Sequence, residues 1–431
     1  MTSVLVWGSF LLFLVLLLLD VPIPFAILAG SICYAFFSGE NLMLFAQKMS
    51  LSFADNTMLA IPAFLFVGIF MNEIGLTDRL FGFVEKWLGH ITGGLAHANV
   101  LSSMIFAGMS GSVLADAGGL GVIEVATMKK AGYDTNFSVA ITAASACIGP
   151  IIPPSINFLI WAYLSSAGAV TMFVAGVLPG LLMGLSLIAM NVVLIKFYHI
   201  SAPRTRKFSW KERYHATVHA LPAILGPVIL IAGTMTGIFT PSECGSVAAV
   251  YCLIVGIYYK KLNLAVLKRT LRATLSSSAM VLALCAAGTV FNWMIITSGL
   301  VNVVSDVLMA LHSKVLVLLI LNVIMLILGC FMGSMQILIM LAPLLITLCG
   351  RLDISLVQMG VIAVFNLVIG SITPPFAPAL FVTCQATNSS FNGALKFTCL
   401  FIIPLAITLL LITFIPAVTE GLPKLFGYMA S

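Results

Sequence analysis

The chain has 431 residues, of which 61% are hydrophobic and 8% charged, with a net charge of +6 at pH 7. A soluble domain carries about 25% charged residues, and apolar runs here recur along the whole chain, which excludes a soluble domain with a single anchor. The runs are continuous rather than alternating, against a membrane β-barrel, and the basic residues sit in short loops, the usual topogenic bias rather than a nucleic-acid surface.

A membrane-spanning helix takes roughly 20 apolar residues. In chain order, spans are predicted near 3–19, 24–38, 57–75, 135–167 and 174–199. A second set is predicted near 220–238, 243–259, 276–297, 356–385 and 397–416. The first run, Val4 to Leu19, lacks a basic leader and is followed by Asp20-Val21-Pro22, so it is expected to be a span and not a signal peptide. Two further apolar stretches, 97–118 and 315–349, break at Gly108-Met109-Ser110-Gly111-Ser112 and at Gly329-Cys330-Phe331-Met332-Gly333-Ser334. Each arm is short for a full span, so both stretches are predicted to be re-entrant hairpins.

Segments 201–215 and 260–272 hold the basic clusters and are expected to be cytoplasmic. The first hairpin then enters from the cytoplasm and the second from outside. Trp210, Tyr214, Val218 and Leu221 alternate with Lys211, Arg213 and His215, which predicts an amphipathic connector over 201–219 lying in the interface. The nine cysteines form no Cys-x-x-Cys pair and are expected to be buried free thiols.

The strongest feature is an internal duplication. Gly149-Pro150-Ile151-Ile152-Pro153-Pro154 recurs as Gly370-Ser371-Ile372-Thr373-Pro374-Pro375, an offset of 221. The hairpin centres recur with an offset of 222, Gly75-Leu76 and Gly299-Leu300 with 224, and Pro22 and Pro241 with 219. Four matches in order indicate duplication. The predicted fold class is therefore an all-α polytopic membrane protein of two repeats, 1–200 and 220–431, each with five spans and one hairpin. Five is odd, so the second copy is inserted upside down, the inverted-repeat design of secondary transporters.

Two adjacent prolines inside a span remove backbone donors and push the preceding residue out of helical geometry. The spans are expected to unwind at Gly149–Pro154 and at Gly370–Pro375. Carbonyl oxygens freed at that depth must be buried in protein or face a site. They are hard ligands, and beside Ser and Thr hydroxyls they suit a desolvated sodium ion. At the hairpin centre Ser110 and Ser112 offer hydroxyls and Gly111 permits close backbone approach. The helix ends meeting there favour a cation and a carboxylate side by side. Asp116 is an ionisable residue at depth, a functional candidate by position. Glu243, after Thr240-Pro241-Ser242, is expected to cap a helix. Asn157, Thr289, Gln336, Asn366 and Thr383 are candidate polar lining.

At these residues the sequence resembles the large membrane (M) subunit of tripartite ATP-independent periplasmic (TRAP) transporters. The resemblance is carried by Gly111-Ser112 with Ala115-Asp116, Gly132-Tyr133, Gly149 to Ser155, Ala175 to Gly180, Gly237 to Glu243 and Gly370 to Pro375. It implies a sodium-coupled elevator transporter of carboxylates in the bacterial inner membrane, with Na+ as coupling ion. It implies two partners, a periplasmic solute-binding protein (P) and a small four-helix membrane subunit (Q). Carried onto this chain, one sodium site takes Ser110, Ser112 and the backbone of Gly149, Ile152 and Pro154. The second takes Met332, Gly333, Gly370, Thr373 and Pro375. Substrate is expected between the hairpin tips, with Gly111, Asp116, Ser155, Asn157, Ser334 and Gln336 as candidate contacts. A stand-alone sodium–anion symporter of related fold is the alternative. A channel lacks its charge ring or filter loop here, and an intramembrane enzyme lacks a catalytic pair at depth.

Overall fold

The computed structural model describes residues 2–198 and 200–429; the side chains of residues 2–6 and 108–110 lie outside that description. Among the described residues the regular structure is helical throughout. The first half runs α1 (Thr2–Leu18), α2 (Ile23–Ser38), α3 (Met43–Phe53), α4 (Asn56–Glu73) and α5 (Leu76–Leu88). The hairpin follows as α6 (Gly94–Ser110), α7 (Val113–Gly118) and α8 (Leu120–Lys130). A broken span, α9 (Thr135–Ala146) and α10 (Ile156–Ser165), leads into α11 (Ala169–Phe197). The second half runs α12 (Trp210–Met235), α13 (Pro241–Tyr258), α14 (Leu264–Thr297) and α15 (Leu300–Met309). Its hairpin is α16 (Lys314–Phe331) and α17 (Ser334–Leu352), its broken span α18 (Leu356–Gly370) and α19 (Pro378–Ala386), followed by α20 (Phe391–Phe414) and α21 (Ala417–Leu425). Eight described helices are long and apolar enough to cross a membrane.

The order of elements therefore runs twice, as inverted repeats. The α1–α2 pair answers to α12–α13, α3 with α4 to the long α14, α5 to α15, and α11 to α20. Gly75 and Gly299 start α5 and α15 with φ of 72° and 74°, a left-handed conformation that residues with a Cβ seldom adopt. The thiol of Cys147 donates to Val368 O at 3.5 Å. These residues are 221 apart, the spacing that separates Gly149 from Gly370. A residue touching its own counterpart lies on the pseudo-two-fold axis, and that axis runs between the two breaks.

Two groups of helices emerge from the packing. α1–α5 and α12–α14 form an outer group. The hairpins, the broken spans, α11, α20 and α21 form an inner group. The groups meet where α5 packs on α6, α4 on α10 and α14 on α17.

Several boundaries differ from expectation. The first hairpin does not end near 118. Its second arm continues through α7 and α8 to Lys130, because Gly118-Gly119 bends the helix instead of ending it. The stretch 201–219 is not a separate interfacial helix. Trp210 opens α12, and the helix runs on through Pro222 and Pro227 to Met235. Its start is fixed by a capping box, with Ser209 N–H donating to Glu212 Oε2 at 2.8 Å. The short helices α3, α5, α15 and α21 were absent from the span pattern. At 9 to 13 residues they fall short of the roughly 20 that a span takes.

Candidate functional site

Between α9 and α10 the chain leaves helical geometry. Ile148 O takes the N–H groups of Ile151 and Ile152 at 3.0 and 3.1 Å. Among the described residues no backbone N–H reaches the carbonyl oxygens of Gly149, Ile152 or Pro154. Pro153-Pro154 is a cis peptide bond, as is Pro374-Pro375. Ser155 restarts the helix: its Oγ accepts from Phe158 N at 3.3 Å and donates to Pro150 O. That hydroxyl, expected as a solute contact, is engaged within the break.

The first hairpin tip sits on this break. Gly111 ends α6 with φ 57°, and a Cβ there would lie 3.3 Å from Ile156 N and 3.4 Å from Pro154 O. Ser112 caps α7, its Oγ accepting from Ala115 N at 3.5 Å. The Asp116 carboxylate is 2% exposed and packs against Gly149 so closely that no Cβ fits there. Ser110, expected as a sodium ligand, has its side chain outside the described residues. Gly111, Ser112, Asp116, Gly149 and Pro154 are thus brought together from two elements. Ile152, expected to offer its backbone, packs its side chain on Gly180 of α11.

The second half repeats the arrangement with different contacts. Gly329, one turn before the hairpin tip, meets Gly370: a Cβ on either glycine would lie 2.6 to 2.9 Å from the other's Cα. Phe331 and Phe376 pack with ring centroids 5.1 Å apart. Met332 and Gly333 carry the extended turn between α16 and α17. Gly370 O already accepts from Thr373 N at 2.9 Å, and Thr373 Oγ1 donates to Ile369 O at 2.9 Å. The oxygens of Thr373 and Pro375 receive no backbone N–H among the described residues.

Asn157 joins the two halves. It is 1% exposed, and its Nδ2 donates to Ser334 Oγ, at the second hairpin tip, at 3.0 Å. Its Oδ1 accepts nothing from the described residues. The Gln336 side chain folds back over Gly333. Thr289 and Thr383, expected as lining, donate to Ala286 O and Ala379 O of their own helices, and Asn366 bonds to Asn322 of α16. Glu243 caps α13 together with Thr240. The four described ion pairs all involve residues at helix ends or loops, away from the tips. Sequence reasoning missed Asn99, Ser145, Asn322 and Cys147; their offsets of 223 and 221 were readable from the repeat, but nothing local marks them.

The sequence profile of the family described as "Tripartite ATP-independent periplasmic transporter, DctM component" matches residues 10–418. The chain belongs to this family. It is 36% identical to the sialic acid TRAP transporter large permease protein SiaM of Vibrio cholerae, over 98% of this chain and 99% of that protein. It is 35% identical to the sialic acid TRAP transporter permease protein SiaT of Haemophilus influenzae, over 97% of this chain and 68% of that one. It is 33% identical to the C4-dicarboxylate TRAP transporter large permease protein DctM of Pseudomonas aeruginosa, over 93% and 94%. In fold it is similar to the YdaH transporter of Alcanivorax borkumensis, with a TM-score of 0.56 at 17% identity, covering 89% of this chain and 87% of that one. As a TRAP large permease it is a multi-pass inner-membrane transporter subunit and not an enzyme.

Proposed function

We propose that this permease takes up a small organic anion, a carboxylate, together with sodium ions, by an elevator movement of the inner group of helices along the outer group. The observation that carries this is the seating of Gly111 against Pro154 O and Ile156 N. A hairpin tip there meets a break whose carbonyls lack backbone donors. Such oxygens, shut away from lipid, suit a desolvated cation. The first sodium site takes Ser110, Ser112, Gly149, Ile152 and Pro154, with Asp116 beside it as counter-charge. The second takes Met332, Gly333, Gly370, Thr373 and Pro375. Because Gly370 O is engaged, its second lone pair would have to serve the ion.

Solute lies between the tips, near Asn157, Ser334 and Gln336. Relatives named for sialic acid, C4-dicarboxylate and 2,3-diketo-L-gulonate support a carboxylate. The partners are a periplasmic solute-binding protein and a small membrane subunit. SiaT and the isethionate permease DctMQ are longer than the part matched here, 68% and 65% of their lengths, which leaves room in them for a fused partner.

The test is solute uptake into proteoliposomes holding this chain and its small subunit, with the binding protein added outside. An inward sodium gradient should drive accumulation. Uptake equally fast with potassium in place of sodium would overturn the coupling.

A further inference from the structure

Each repeat carries a buried amide stitch between its hairpin and its broken span. In the first half, Asn99 of α6 donates Nδ2 to Thr142 Oγ1 at 2.7 Å and accepts at Oδ1 from Ser145 Oγ at 2.7 Å. Ser103, one turn on, donates to Ser145 Oγ at 3.1 Å. In the second half, Asn366 Nδ2 donates to both Asn322 O and Asn322 Oδ1 at 2.9 Å. Asn322 Nδ2 in turn donates to Thr413 Oγ1 of α20 at 3.1 Å. Asn99 and Asn322 occupy equivalent places on the first arms, and Ser145 and Asn366 each stand four residues before the glycine of their break. All six of Asn99, Thr142, Ser145, Asn322, Asn366 and Thr413 are buried.

Most of the buried side chains on these arms and spans are apolar. α6 packs on α9, and both helices carry buried apolar residues, among them Ala98, Val100, Val139 and Ala143. Apolar contact is non-directional and does little to oppose sliding of one helix along another. A hydrogen bond has a preferred distance and angle. A buried amide that loses its partner at this depth has no water to turn to. The stitches therefore fix the axial register of each arm on its span. The tip and the break at the far end of that contact supply oxygens from two separate elements, so a cation held by both depends on their register.

We infer that Asn99 and Asn322 are positioning residues, each setting the cation affinity of the site at its own hairpin tip without touching the ion. This rests on the sodium-coupled function proposed above. The two stitches differ in their third partner, Thr142 on the broken span against Thr413 on α20, so the two sites are tuned separately.

The experiment measures two sodium titrations on Asn99→Ala, Asn322→Ala and the conservative Asn366→Ser, which installs the hydroxyl that the first repeat uses at that place. One titration follows uptake by the reconstituted complex. The other follows the rise in Tm of the purified complex, which needs no transport. Half-saturating sodium should rise about tenfold in the two alanine variants, as for loss of a group that orients a metal ligand. Maximal uptake per folded protein should return at high sodium, and Asn366→Ser should stay near wild type. If an alanine variant fails to fold, Asn99→Ser and Asn366→Ser carry the same comparison, with Asn99→Ser shifted and Asn366→Ser not. Half-saturation unchanged while maximal uptake falls would mean a structural role and overturn the inference. A wild type indifferent to sodium in both titrations would overturn the sodium reading and this inference with it. A sodium-dependent wild type with unshifted variants overturns this inference alone.

Discussion

Asn157 of the first repeat donates its side-chain amide to the hydroxyl of Ser334 in the second, at 3.0 Å. The bond ties the restart of one broken span to the opposite hairpin tip, between the places where the two ions are proposed to sit. Both polar groups would have to reorient to receive a solute, and Asn157 Oδ1 is already without a donor among the described residues. Ser334→Ala and Asn157→Ala are each expected to weaken solute uptake. The double variant should cost little more than the worse single one, leaving a coupling of about 1 kcal/mol. Half-saturating solute concentrations for the four proteins, measured in proteoliposomes, check the cycle; additive losses would mean the pair does not act together.

Gly329 and Gly370 are in backbone contact between the second hairpin and the second break. An added methyl meets main chain, which cannot swing aside. Gly370→Ala is expected to lower stability by about 1–3 kcal/mol, the range for overpacking. Gly350→Ala, inside α17 where nothing lies within 4 Å of the added Cβ, serves as the control and should hold Tm or raise it slightly, since alanine favours the helix over glycine. Thermal unfolding in detergent compares the two.

Gly75 and Gly299 test the repeat by backbone alone. Nothing lies within 4 Å of a Cβ at Gly299, so Gly299→Ala pays only for its left-handed φ, about 1–2 kcal/mol. Gly75→Ala should cost a similar amount, since its φ is nearly the same. Matching Tm shifts are expected; a neutral substitution at either position would contradict the turn described for it.

Sodium itself should stabilise the folded protein. A ligand bound only by the native state adds about 2.7 kcal/mol at a hundredfold excess over its Kd. Tm should therefore rise with sodium chloride and not with potassium chloride at equal ionic strength. Ser112→Ala should move the rise to higher sodium concentration. Identical curves in the two salts would count against both ion sites.

Much of this was legible from residue order. Gly149 to Pro154 and Gly370 to Pro375 announced two broken spans because proline acts on its own backbone, which needs no neighbour to be predicted. The duplicated spacing gave the repeats for the same reason. Contacts between distant elements were harder. Asn99 looks like any polar residue on an apolar helix until α9 lies beside it, and Ser155 looks like a solute ligand until its hydroxyl is seen to close the break. The extension of the first hairpin to Lys130 was hidden by Gly118-Gly119, which reads as a terminator but only turns the arm. α5 was missed because Asp78, Arg79, Glu85 and Lys86 mask a half-apolar face in a search for long hydrophobic runs, and α15 because its 10 residues are too few to register in one.

The contact between Cys147 and Val368 has a consequence for how such a chain can change over time. Where equivalent positions do not touch, a substitution never meets its own counterpart, so the two copies drift apart in chemistry, as Ser145 and Asn366 have. Where Cys147 meets Val368, a larger side chain would press on both counterparts at once. Divergence is cheap at the periphery of the molecule and coupled at its centre.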